Sequence, residues 1–126
     1  MPGRRALIAG LLALPAAAAE QPSPERLVAA FRASCLAAER PELRGTGTWA
    51  WIEELCAREA ATRADAFTLL DRPGRLRELA SDCERWHAAN RWRLPPKLQD
   101  DPQARAGYVG AACSAEAEER LRALER

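Results

Sequence analysis

Cys35, Cys56, Cys83 and Cys113 carry the most available chemistry in this chain, and their surroundings decide which chemistry that is. Thiol–disulfide catalysis uses a C-x-x-C pair, and these cysteines are spaced far more widely. A closed zinc site needs four nitrogen or sulfur ligands, and the chain has a single histidine, His87. His87 follows Cys83 by one helical turn, so the two could share a face as metal ligands. A disulfide at Cys83 removes that option, and disulfide formation is the expected fate of all four cysteines.

The remaining polar residues offer less. Ser34 and Ser114 each adjoin a cysteine, but no base stands in a recognisable relation to either hydroxyl. Glu59 and Arg63, like Glu116 and Arg120, are i,i+4 pairs that support a helix from its solvated face. Asp100-Asp101 suits a linker and helix cap, since a cation site requires more oxygen ligands than this segment has. The expectation is a protein that is not an enzyme, with no metal and no cofactor.

Structural disulfides call for an oxidising compartment, and the N-terminus reads as an export signal. Arg4 and Arg5 form a basic start, Ala6 to Leu14 an apolar run, and Ala17-Ala18-Ala19 a small-residue cleavage site before Glu20. The apolar run is shorter than the ~20 residues that span a bilayer, so residues 1–19 are expected to be a cleaved signal peptide, leaving no membrane anchor. Residues 20–126 then form one domain, being too few for two ordinary ones. Loss of Arg4 and Arg5 takes the formal net charge from +1 to −1, with charges of both signs interspersed. A nucleic-acid partner would call for a concentrated basic stripe, and none is present. The mature protein is expected to be periplasmic or secreted.

The elements that hold the cysteines are helical. Ser23-Pro24 opens the first helix, whose stripe is Leu27, Phe31, Cys35 and Ala38. Pro41 ends it, and the turn Gly45-Thr46-Gly47-Thr48 offers its last threonine as a cap. The second helix carries Ile52, Cys56, Ala60, Phe67 and Leu70 and stops at Asp71-Arg72-Pro73-Gly74. The third carries Leu76, Leu79, Cys83, Trp86 and Asn90, ending at Pro95-Pro96. A polar linker leads to Asp101-Pro102, which opens a fourth helix with Val109, Cys113, Ala117, Leu121 and Leu124. No stretch alternates with period two, so the fold class is all-α, an up-and-down four-helix bundle of two α-hairpins.

The halves resemble each other. Trp51 precedes Cys56 as Tyr108 precedes Cys113, and Glu59, Ala60 and Arg63 follow the first cysteine as Glu116, Ala117 and Arg120 follow the second. Helix register then selects among the three possible disulfide pairings. In antiparallel hairpins with about 1.5 Å rise per residue, Cys83 is nearly level with Cys113, and Cys35 stands within ~5 Å of the level of Cys56. A Cys56–Cys83 bond would be off by about 10 Å, beyond the ~7 Å a disulfide tolerates. One staple per hairpin is expected, Cys35–Cys56 and Cys83–Cys113.

Four tryptophans remain for binding. Trp49 and Trp51 stand two apart at a helix start and cannot both face one core, while Trp92 precedes the Pro95-Pro96 linker. Tryptophans beside loops are favoured anchors at protein interfaces, so Trp49, Trp51 and Trp92 are the candidate partner-binding residues.

Two segments resemble the LprI family of exported lysozyme inhibitors: Cys35-Leu36-Ala37-Ala38-Glu39 through Gly45-Thr46-Gly47 to Cys56, and Cys113-Ser114-Ala115-Glu116 with Arg120-Leu121. The chain lacks a lipobox cysteine and the family's fuller pattern around its first cysteine. The resemblance implies a helical, disulfide-linked periplasmic domain that binds an enzyme, and it assigns no inhibitory residue. The expected function is a non-catalytic periplasmic binding protein, with a lysozyme as the concrete partner. A structural or assembly factor of the bacterial cell envelope is the alternative.

Overall fold

The computed structural model describes residues 21–126, and the expected signal peptide lies outside the described residues. Five α-helices follow one another: α1 (Pro24–Ala37), α2 (Gly47–Thr68), α3 (Arg72–Ala89), α4 (Pro96–Asp100) and α5 (Pro102–Glu125). Short 3₁₀ turns stand at Pro41–Leu43 and Arg91–Arg93. No strand occurs among the described residues, and the all-α class holds.

Side-chain caps set where these helices begin. Ser23 accepts a hydrogen bond from the Arg26 amide at 3.2 Å, with Pro24 in the first turn. Asp101 Oδ1 accepts from the Gln103 and Ala104 amides, both at 3.1 Å. The second helix is capped by Thr46 rather than Thr48, because the chain already turns helical at Gly47. Helix α2 ends at Thr68 with Leu69 as its C-cap, and Asp71 begins α3, its Oδ1 accepting from the Gly74 amide at 2.9 Å. Helix α3 ends at Ala89 instead of running to the prolines, and part of the expected linker is the short helix α4.

The long helices pair as expected, α1 against α2 and α3 against α5, in up-and-down order. One disulfide staples each hairpin: Cys35–Cys56 with Cα atoms 5.6 Å apart, and Cys83–Cys113 at 5.4 Å. The apolar core sits below the staples, where α1 and α3 begin and α2 and α5 end. It contains Leu27, Phe31, Phe67, Leu79 and Leu121, all fully buried, with Ala60, Ala64 and Ala117 allowing close approach. Each of the large side chains contributes roughly 1.5–3 kcal/mol by leaving water. Phe31 and Phe67 meet edge to face at 5.3 Å, joining the first hairpin internally.

Two reciprocal contacts join the hairpins to each other. Arg26, near the start of α1, donates to the Ala123 and Leu124 carbonyls at the end of α5, at 2.7 and 3.3 Å. Arg75, near the start of α3, donates to the Phe67 and Thr68 carbonyls at the end of α2, at 3.3 and 3.4 Å. Each hairpin's first helix thus caps the other's second, placing a cation where unpaired carbonyls carry partial negative charge. The second contact uses the arginines that follow the α2 and α5 cysteines. Arg63 reaches Asp82, which precedes Cys83, at 2.7 Å, and Arg120 reaches Ser34, which precedes Cys35, at 3.0 Å. The halves are therefore related by an approximate two-fold arrangement.

Candidate functional site

Asp82 is the polar centre of the molecule. Its side chain is 3% exposed, and Oδ1 accepts from Arg63 Nη1 and Arg85 Nη2, both at 2.7 Å. Arg63 also binds Glu78 Oε2 through Nε and Nη2, at 3.0 and 2.8 Å, and lies 4.2 Å over the Phe31 ring. Burial opposes the charge on Arg63. Hydrogen bonding and attraction from Asp82, then from Glu78, outweigh it and hold the guanidinium above its ordinary pKa. Arg63 stays charged throughout the physiological range.

This network corrects the reading of Arg63 and Arg120 as helix-support partners of Glu59 and Glu116. Arg63 crosses to α3, and Glu59 pairs with Arg85 at 3.5 Å instead. Arg120 turns to Ser34 Oγ, with Nη1 3.9 Å from Asp82 Oδ2. Glu116 makes no ion pair or hydrogen bond among the described residues. Buried carboxylates attract guanidinium groups more strongly than a solvated i,i+4 neighbour does, since water screens the latter.

Above Asp82 the hairpins enclose a cleft of about 480 Å³. Ala30, Ala33 and Ala37 of α1 form one wall, Trp86 and His87 of α3 another, and Glu116 and Arg120 of α5 supply opposite charges. Asp82 Oδ2 is buried beside this cleft without a hydrogen-bond donor. An unsatisfied polar atom of this kind costs about 1–3 kcal/mol. The His87 ring lies edge-on to Trp86 at 5.1 Å and to Tyr108 at 6.4 Å.

Cys83, Cys113 and a His87 nitrogen come within 4.8 Å of one another, but both sulfurs are committed to the disulfide. A cysteine ligates a divalent metal as its thiolate, and with both sulfurs oxidised only the His87 nitrogen of this trio could coordinate one.

The predicted partner-binding tryptophans share one end of the bundle, where α1 and α3 finish and α2 and α5 begin. Trp51 and Trp92 are 60% and 61% exposed, and Tyr108 adds a third exposed ring. Trp49 differs: it is half-buried, with the Arg44 guanidinium 5.4 Å from its ring. Trp92 is covered on one side by Arg93 at 4.8 Å.

Sequence reasoning missed Asp82 and the cleft. Asp82 is one acidic residue among eighteen, and the charged residues near it in sequence, Glu78, Glu84 and Arg85, make it resemble part of a solvated helix face. The available signal was the matching position of Ser34 and Asp82 before a cysteine in each half. No protein-family model, curated protein or solved structure matches this chain.

Proposed function

We propose that this chain is a non-catalytic, exported binding protein that engages a protein partner through its tryptophan-bearing end, with a lysozyme-type muramidase as the concrete partner. The observation carrying this reading is the exposure of Trp51 and Trp92 at one end of a doubly stapled bundle. Large apolar rings held in water lose solvent on docking, and rigid tryptophans do so with little entropy cost. Export is compatible with the two disulfides, and among the described residues no helix is long and apolar enough to cross a membrane. A non-catalytic role is supported by Ser34, the hydroxyl bordering the cleft. Its hydrogen-bond partner is the Arg120 guanidinium, a donor that offers no base.

Lysozyme as the partner rests on the sequence resemblance alone. Inhibition assays against several lysozymes test that choice, and full activity at high micromolar protein would remove it. Capture from periplasmic extract tests the binding surface. Trp51→Ala and Trp92→Ala should each lower recovery of the wild-type partner at least tenfold; equal recovery with both variants sinks the tryptophan surface. Capture of an envelope-assembly component with lysozyme left uninhibited favours the assembly-factor reading.

A further inference from the structure

The two-fold relation between the hairpins identifies what the cleft lacks. On the closed side, Arg63 binds Asp82 and Glu78, while Arg85 bridges Asp82 and Glu59. Counting from the cysteines, the positions of Glu78, Asp82 and Arg85 correspond to Ala30, Ser34 and Ala37. Those three line the cleft. Arg63 and Glu59 correspond to Arg120 and Glu116, which remain. The open side thus keeps Arg120 and Glu116 but has no α1 carboxylate to face the arginine, whose nearest carboxylate is Asp82 Oδ2 at 3.9 Å, and no guanidinium at position 37 to face the glutamate.

We propose that the cleft binds a small zwitterion of the amino-acid class, with its carboxylate on Arg120, its cationic nitrogen on Glu116 and its side chain between the α1 alanines and Trp86. The closed side supplies the template, since there a carboxylate and a guanidinium lie 2.7 Å apart between the same two helix positions. Three further observations favour it. Glu116 and Arg120 face one cleft without pairing to each other, although their spacing permits it. Arg120 has donors to spare beyond its bond to Ser34, because a guanidinium carries five. Asp82 Oδ2 lies buried beside the cleft, 3.9 Å from Arg120 and without a hydrogen-bond donor, so it is an acceptor that an N–H group of a ligand would satisfy in addition to Glu116. The volume of about 480 Å³ is in the range of small-molecule sites. The proposal stands apart from the partner-binding surface and does not depend on it.

Calorimetry on the full, oxidised mature chain tests it with L-leucine, L-phenylalanine and L-arginine, each beside its N-acetyl and amide derivatives. The expected result is that at least one free amino acid binds tenfold or more tightly than both derivatives, each of which lacks one charge. Glu116→Gln should erase the advantage over the N-acetyl form. Ala37→Arg places a guanidinium opposite Glu116, as Arg85 stands opposite Glu59 on the closed side, and should abolish binding. If no free amino acid outbinds its derivatives, or if Ala37→Arg binds as wild type does, the proposal is overturned.

Discussion

Arg63 of one hairpin donates to Asp82 of the other across 2.7 Å, and that contact sets the height at which the two hairpins lock. Below it the four long helices share an apolar core; above it lie the cleft and the tryptophan-bearing end. The corresponding contact, Arg120 to Ser34, replaces a carboxylate by a hydroxyl and leaves that side open. Three charged residues of the closed side, Glu78, Asp82 and Arg85, have the uncharged Ala30, Ser34 and Ala37 at the matching positions of the open side.

Asp82→Ala leaves Arg63, 11% exposed, without one of its two carboxylates, and Arg85 without its buried partner. The expected loss is about 3–5 kcal/mol in urea unfolding. Exchange of both members for apolar residues, Arg63→Met with Asp82→Leu, should recover part of it. A loss below about 1 kcal/mol in the single variant would mean that the network contributes little.

Glycines in the helices respond with opposite signs. A Cβ on Gly74 would stand 3.0 Å from Asp71 Oδ1 and 3.3 Å from Leu70 Cβ, displacing the carboxylate that caps α3. Gly74→Ala should cost about 1 kcal/mol despite alanine's better helix propensity. Gly107 and Gly110 in α5 meet nothing within 4 Å, and alanine there should stabilise by roughly 0.5–1 kcal/mol each. Thermal unfolding of the three variants checks the signs.

The two disulfides should differ in reducibility. Cys35 is half-buried, whereas Cys83 and Cys113 are both buried. Attack by a thiolate needs access to sulfur, so limited dithiothreitol under native conditions should open Cys35–Cys56 first. Alkylation with peptide mapping reads the order. Loss of either bond should cost about 3 kcal/mol on the chain-entropy estimate.

Arg26 and Arg75 do the same work at different depths. Arg75 is buried, so Arg75→Ala should cost about 1.5–3 kcal/mol by leaving the α2 carbonyls unpaired. Arg26 is exposed, and Arg26→Ala should cost roughly 0.5–1 kcal/mol. Equal losses would show that depth does not govern these caps.

Trp51→Ala and Trp92→Ala should change stability by no more than about 0.5 kcal/mol, because both rings stand mostly in water. Trp86→Ala should cost more, since its half-buried ring packs against His87 and lies 5.8 Å from the Arg93 guanidinium. The contrast separates tryptophans available to a partner from one used by the fold.

The amino-acid sequence by itself determined the four long helices, the caps Ser23 and Asp101 and the pairing of the cysteines. These depend on neighbours within a few residues or on helix rise, and both can be counted along the chain. It left open which carboxylate an arginine chooses. Arg63 has Glu59 one turn away, yet it takes Glu78 and Asp82 on another helix. That choice belongs to tertiary structure, because burial strengthens attraction between charges that water would otherwise screen. The cleft has the same origin: Ala30, Ser34 and Ala37 are ordinary helix residues until a second hairpin shows what stands at the matching positions. The thiols that first drew notice are structural staples, and the polar surface available to a ligand was created by bringing the two halves together.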